Sequence, residues 1–150
     1  VIAYKNIDFN FFFQGTADAH RVIGNSTIFL PGSGTTVQGN AYSENLDDRW
    51  TDDNQDPYAF WPRLTYGPNK NNYRASTWWK KDMSFLRLKT VEIGYTFPKK
   101  IYSKGARVFV SGNNLLCFSP FKLWDPELGT NNGLKYPMNR SILFGIDINF

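Results

Sequence analysis

The chain has 150 residues, and 17% of them are aromatic (13 Phe, 8 Tyr and 5 Trp), a heavy load for an ordinary globular core. Its formal charge is +4, but Lys80 with Lys81, Lys99 with Lys100, and Lys104 with Arg107 lie in short groups at the ends of strand-like segments; this argues against a nucleic-acid face and suits interfacial side chains whose stems run along apolar surface. The single Cys117 excludes an internal disulfide and the single His20 excludes a zinc cluster, so neither cofactor nor metal is expected; no stretch reads as a signal peptide or as an apolar helix long enough to cross a membrane.

The first predicted strand runs from Asn6 to Gln14, with Ile7, Phe9, Phe11 and Phe13 on one parity and Asn6, Asp8, Asn10, Phe12 and Gln14 on the other. A connection from Thr16 to Asp82 follows, too long to be structureless inside a compact domain, and Ala41 to Trp50 predicts a short helix within it. In the next strand, Phe85 to Phe97, Leu86 and Leu88 occupy the even parity, whereas Val91, Ile93, Tyr95 and Phe97 occupy the odd. The phase slips near Lys89 and Thr90, and a one-residue bulge there keeps both apolar halves on one face. Pro98 to Gly105 is short turn material. Ala106 to Leu116 places Val108 and Val110 opposite Arg107, Phe109, Ser111 and Asn113, with Phe109 the exception among polar neighbours. A second long loop, Cys117 to Pro137, leads to Asn139–Phe150, the clearest alternation in the chain: Ile142, Phe144, Ile146, Ile148 and Phe150 against Ser141, Gly145, Asp147 and Asn149, broken only by Leu143.

A strand of about 9 to 11 residues with one apolar and one wet face is what a transmembrane barrel requires. Long loops on one side and a short turn on the other match the asymmetry of outer-membrane barrels. The fold class expected is therefore all-β, an antiparallel transmembrane β-barrel segment of four strands. Four strands spaced about 4.8 Å apart make a ribbon roughly 19 Å wide, which cannot close on itself. The start at Val1, already close to a strand pattern, further suggests a piece of a longer polypeptide.

Several stretches carry a family resemblance. Ser84-Phe-Leu-Arg-Leu-Lys-Thr-Val-Glu-Ile-Gly-Tyr-Thr-Phe-Pro98 resembles the late barrel strand of SusC/RagA-type TonB-dependent transporters. Arg107-Val-Phe-Val-Ser-Gly-Asn-Asn-Leu-Leu116 resembles their penultimate strand, Asp125-Pro-Glu-Leu-Gly129 their final extracellular loop, and Tyr136-Pro137 to Phe150 their closing strand. Tyr4 to Gly15 is similar to an earlier strand, and Arg49-Trp50 with Trp61-Pro-Arg-Leu64 to the loop between. The resemblance implies an outer-membrane barrel of about 22 strands with a plugged lumen, of which this chain would hold the last four. It further implies import of oligosaccharides or peptides with a SusD-like surface lipoprotein, energised through TonB, in a Gram-negative, Bacteroidetes-like cell. Phe150, a terminal aromatic on an alternating strand, resembles the signal read by barrel assembly machinery.

The loop aromatics Trp50, Tyr58, Trp61, Tyr66, Trp78, Trp79 and Trp124 are the candidate ligand contacts, since aromatic faces stack on sugar C–H surfaces while Asn, Asp and Arg bond hydroxyls. For any one of them, interfacial girdle or loop packing is the commoner role. Asp52-Asp-Asn-Gln-Asp56 starts like a calcium loop, but Pro57 stands at the turn glycine and Arg63 at the closing glutamate. Gly32, Gly34 and Gly39 have the wrong spacing for a dinucleotide fingerprint, and one His allows no catalytic triad, so no enzyme activity is expected. Two alternatives share the alternation: a soluble β-sandwich that buries the Phe and Ile face and binds carbohydrate, and a siderophore-type receptor.

Overall fold

The alternating segments form long strands in a computed structural model that describes residues 1–23, 43–65, 69–72, 74–98 and 105–149. In chain order the elements are β1 (Ile2–Tyr4), β2 (Ile7–Thr16), β3 (His20–Val22), α1 (Glu44–Asp47), β4 (Lys80–Asp82), β5 (Phe85–Thr96), β6 (Ala106–Phe118) and β7 (Ser141–Ile148). Tyr66 and Phe150 lie outside the described residues, as do Gly32, Gly34, Gly39, Lys99, Lys100 and Lys104.

One antiparallel sheet has the order β1-β2-β5-β6-β7. Its four long strands are those expected, and β1 adds a short fifth at the edge. β1 and β2 meet through a two-residue connection between Tyr4 and Ile7, where Lys5 takes a left-handed φ of 54°. Cys117 belongs to β6 rather than to the loop that follows it. The long segment after β2 is not structureless: it supplies β3, α1, a 3-10 turn (Thr77–Trp79) and β4, with β3 and β4 paired. By chain contacts the molecule comprises two units, residues 1–19, 82–129 and 135–150 in the first and residues 20–81 and 130–134 in the second.

The phase slip in β5 is a bulge. Phe12 pairs with Thr90 and Phe13 with Leu88, so Lys89 is the extra residue against β2. Its effect is to return Leu88 and Leu86 to the face of Val91, Ile93 and Tyr95, opposite Phe13, Phe11, Phe9 and Ile7 of β2. Against β6 the surplus changes sides: Leu88 pairs with Leu116 and Thr90 with Asn113, leaving Asn114 and Leu115 opposite Lys89. Asn114 takes up this extra length with a left-handed φ of 54°, a conformation Asn tolerates better than most residues.

The register then sorts side chains by face across the strands. Tyr95, Val108 and Ile146 stand abreast on one face, as do Ile93, Val110 and Phe144. Val108 is half-buried and the other five are exposed, Phe144 by 80%. The sandwich alternative needs the Phe and Ile face buried, whereas Ile93, Phe144 and Ile146 on that face are exposed. The opposite face carries Asp8, Glu92, Arg107 and Asp147, together with Phe12, Phe109 and Leu143, the three apolar residues that broke the alternation.

Phe109 is accommodated by its neighbours: Gly94 and Gly145 flank it in register. A Cβ on Gly145 would stand 2.5 Å from one Phe109 ring atom, and one on Gly94 would stand 2.7 Å from the Arg107 guanidinium carbon. Glycine here makes room for two large side chains to lie flat on the strands.

Candidate functional site

Three side-chain groups carry the chemistry of this chain. The first is centred on Arg107, on the polar face of the sheet. Its Nη2 donates to Asp8 Oδ2 at 2.5 Å and to Glu92 Oε1 at 2.7 Å, and its Nε donates to Asp8 Oδ1 at 3.1 Å. Asp147 Oδ2 lies 3.6 Å from Nη1, and the Phe109 ring sits beneath the guanidinium, 5.0 Å from centroid to Cζ. Four adjacent strands thus each contribute one charge to a single node. The parity of the sequence put these four residues on one face; the register brought them together.

The second group joins β5 to the loop after β6. Arg87 is 3% exposed. Its Nη2 donates at 2.5 Å to both carboxylate oxygens of Asp125, and its Nε lies 2.9 Å from Glu127 Oε2, close enough for an ion pair though not aligned as a hydrogen bond. Lys89 Nζ, from the bulge, donates to Glu127 Oε1 at 2.6 Å. The 3-10 turn Pro126–Leu128 holds the two acids in place: Asp125 Oδ1 also accepts from the Glu127 amide at 3.0 Å, with proline in the first turn, where its missing N–H costs nothing. Ser119 Oγ donates to Ser84 O at 2.7 Å and pins the start of the same loop, and Phe121 packs on Trp124 with centroids 4.7 Å apart. Sequence reasoning named Arg87 and the Asp125-Pro-Glu127 stretch separately and missed that they pair. The available signal was that Arg87 and Lys89 flank an apolar residue in a strand, while two acids separated by proline sit in a loop.

The third group lies within residues 20–81. Trp61 and Trp79 are buried, 2% and 4% exposed, and meet edge to face at 6.3 Å. Trp79 Nε1 donates to Asn72 O at 3.1 Å, and the Asn72 amide donates to Arg63 O at 3.1 Å. Beside this packing is a hollow of about 490 Å³ whose apolar wall is Trp50, Trp78 and Trp79 and whose polar wall includes Arg63, Asn71 and Arg74. Of the aromatic residues expected to touch ligand, the structure brings these three to one hollow, with Trp61 packed behind Trp79. Tyr58 stands apart and is 91% exposed, and Trp124 belongs to the loop of the second group. Sequence reasoning expected Asn, Asp and Arg beside the aromatics but did not single out Asn71 or Arg74, which carry no recognisable motif.

The acids of the calcium-like stretch have other partners. Asp52 pairs with Arg63 at 2.8 Å, and Asp56 Oδ1 accepts from the Tyr58 amide at 2.8 Å. Lys81 Nζ donates to Phe60 O at 2.9 Å and lies 4.0 Å from the Phe60 ring centroid. Burial pushes the Lys81 ammonium down to about 8, against a smaller upward pull from Asp48.

No protein-family model matches the chain. Two TonB-dependent receptors of Formosa agariphila do, one 33% identical over 168 residues and the other 30% identical over 166, each alignment covering 99% of this chain. Among solved structures, that of the RagAB peptide transporter covers 99% of the chain at 28% identity with a TM-score of 0.73. By sequence and fold the chain resembles part of a SusC/RagA-type TonB-dependent receptor. The RagAB peptide importer in its closed-closed state gives a TM-score of 0.72 at 27% identity. The chain spans about 16% of the length of the first of these curated receptors and of the matched RagAB chain. The Arg107 node and the Arg87 clasp both tie together stretches on which the resemblance rests: Tyr4 to Gly15, Ser84 to Pro98, Arg107 to Leu116 and Asp125 to Gly129.

Proposed function

We propose that this chain forms the last strands of the β-barrel of an outer-membrane, TonB-dependent transporter that imports a bulky nutrient. One observation carries the reading: across four long strands every charged side chain of the Arg107 node lies on one face, while the other presents an uncovered field of Phe, Ile, Val and Tyr. Such a sheet is stable only where hydrocarbon meets one face and water or protein the other. On this reading the Arg107 node and the Arg87 clasp face the lumen, and the closing strand β7 pairs with a first strand elsewhere in the barrel. Phe150 serves as the assembly signal, and the remaining strands and plug belong to the rest of a barrel of about 22 strands. Transport, rather than catalysis, is the activity.

The cargo class favoured is peptide, because the solved relatives are named as peptide transporters; oligosaccharide is the alternative that the loop aromatics would suit. A SusD-like surface lipoprotein is the partner, supported by the two-component RagAB assemblies, and TonB is the source of energy, supported by the names of the Formosa receptors. The test uses the complete transporter in a Gram-negative host. Expected are a heat-modifiable protein in the outer-membrane fraction, co-purification of a surface lipoprotein, and peptide uptake that stops when TonB is deleted. Recovery of the protein as a detergent-free monomer in the periplasm would overturn the proposal.

A further inference from the structure

We propose that the hollow beside Trp79 is a binding subsite for a carboxylate carried on an apolar or ring-shaped unit of the ligand, with Arg74 as the anchoring cation. At about 490 Å³ it lies within the range of small-molecule pockets, the size of one or two monomer units rather than a whole bulky cargo. Its floor is rigid: Trp79 is fixed by its hydrogen bond to Asn72 O and by its edge contact with Trp61. Trp50 and Trp78 are only partly buried and present apolar surface beside that floor.

The polar lining is one-sided. Arginine and asparagine side chains line the hollow, and among the described residues no carboxylate does. The two guanidiniums are not equivalent. Arg63 is paired with Asp52 at 2.8 Å and lies 6.0 Å from the Trp50 ring centroid, so its charge is largely answered within the chain. Arg74 has no acid within ion-pair distance among the described residues. An unanswered guanidinium beside indole surface selects an anionic acceptor attached to an apolar body. A guanidinium prefers a carboxylate because two parallel N–H groups match its two oxygens. Two sources provide that chemistry: the C-terminus of a peptide and a uronic acid of an oligosaccharide.

The role of this site in transport rests on the function proposed above; its binding does not, and the two are tested apart. The complete transporter, purified in detergent, is titrated calorimetrically with the tripeptide Leu-Ala-Ala carrying a free or an amidated C-terminus, and with trigalacturonate or its methyl ester. At least one free-carboxylate probe is expected to bind roughly ten-fold tighter than its blocked form. Arg74→Gln should erase that preference, Arg74→Lys should restore part of it, and Leu46→Ser, outside the hollow, should leave it intact. The arm that responds identifies the source of the carboxylate. Equal binding of free and blocked probes to the unaltered protein, or a preference that survives Arg74→Gln, overturns the site. A protein that imports peptide yet lacks the Arg74-dependent preference loses this site and keeps its transport function; a preference in a protein that never reaches the outer membrane does the reverse.

Discussion

Arg87→Met removes the cation of the clasp while keeping most of its apolar stem, and leaves Asp125 and Glu127 facing each other with only Lys89 beside them. Breaking a fully buried ion pair by deleting one partner costs about 3–5 kcal/mol. Arg87 is 3% exposed, but the side chains of Asp125 and Glu127 are 19% and 21% exposed, so water recovers part of that cost. A loss of about 2 kcal/mol in the free energy that holds the loop to β5 is the reasonable figure, a roughly 30-fold rise in the open fraction. The assay is amide hydrogen exchange on the complete transporter in detergent, read over residues 119–129. Exchange there should accelerate about 30-fold while β2 and β6 keep their protection. Adding Asp125→Asn and Glu127→Gln to Arg87→Met should cost less than the sum of the separate effects, because the acids no longer lack a counter-charge. Unchanged exchange over the loop, or strict additivity, would refute the clasp as the loop's anchor.

Four further outcomes test other parts of the structure. Phe144→Arg should impair membrane integration at a cost of about 2–4 kcal/mol, whereas Leu143→Arg, one residue away on the polar face opposite Ser111, should be tolerated; equal defects in outer-membrane yield would contradict the assignment of faces. Gly145→Val should drive the Phe109 ring off the strand, lowering the heat-modifiability midpoint by an amount equivalent to about 1–3 kcal/mol, and Phe109→Ala should rescue it; a variant with wild-type melting removes the packing argument. Lys81 sits at about 8 in the folded state and at its ordinary 10.5 when unfolded, so the unfolded chain binds more protons between these values and local stability should rise with pH across that window. Because the ammonium is only partly buried, the gain in hydrogen-exchange protection over residues 43–65 should be about 1 kcal/mol, absent in Lys81→Met; an identical slope in the variant excludes Lys81 as its origin. Deleting Phe150 should reduce insertion of newly made protein while leaving the melting of inserted barrels unchanged, and a lowered melting point with normal insertion would make it a packing residue instead.

Much of the fold was legible because strand chemistry is local. Each long strand announced itself by alternation, and the bulge at Lys89 was readable as a phase slip because a one-residue offset inverts every side chain beyond it. The edge strand β1 was not readable, since three residues, Ile2 to Tyr4, are too few to establish a period. The second unit escaped for a different reason: its elements are short, and its packing depends on Trp61 and Trp79 meeting from positions the chain brings together only after folding. The same holds for the candidate site. The indoles stood out by composition, but nothing local marks Arg74 as unanswered or Arg63 as answered by Asp52.

Alternation alone settled which side chains share a face, so the amphipathic sheet and its resemblance to a transporter barrel came directly from residue order. Which charges meet was decided by tertiary structure: Arg107 reaches Asp8 across 99 residues of sequence, and Arg87 reaches Asp125 across 38. An ion pair requires a few ångströms of proximity, and only strand register and the return of a loop onto its strand supply it. A hydrophobic face needs no such partner, because burial of apolar surface is non-directional and scales with area, and the order of residues along one strand is enough to define it.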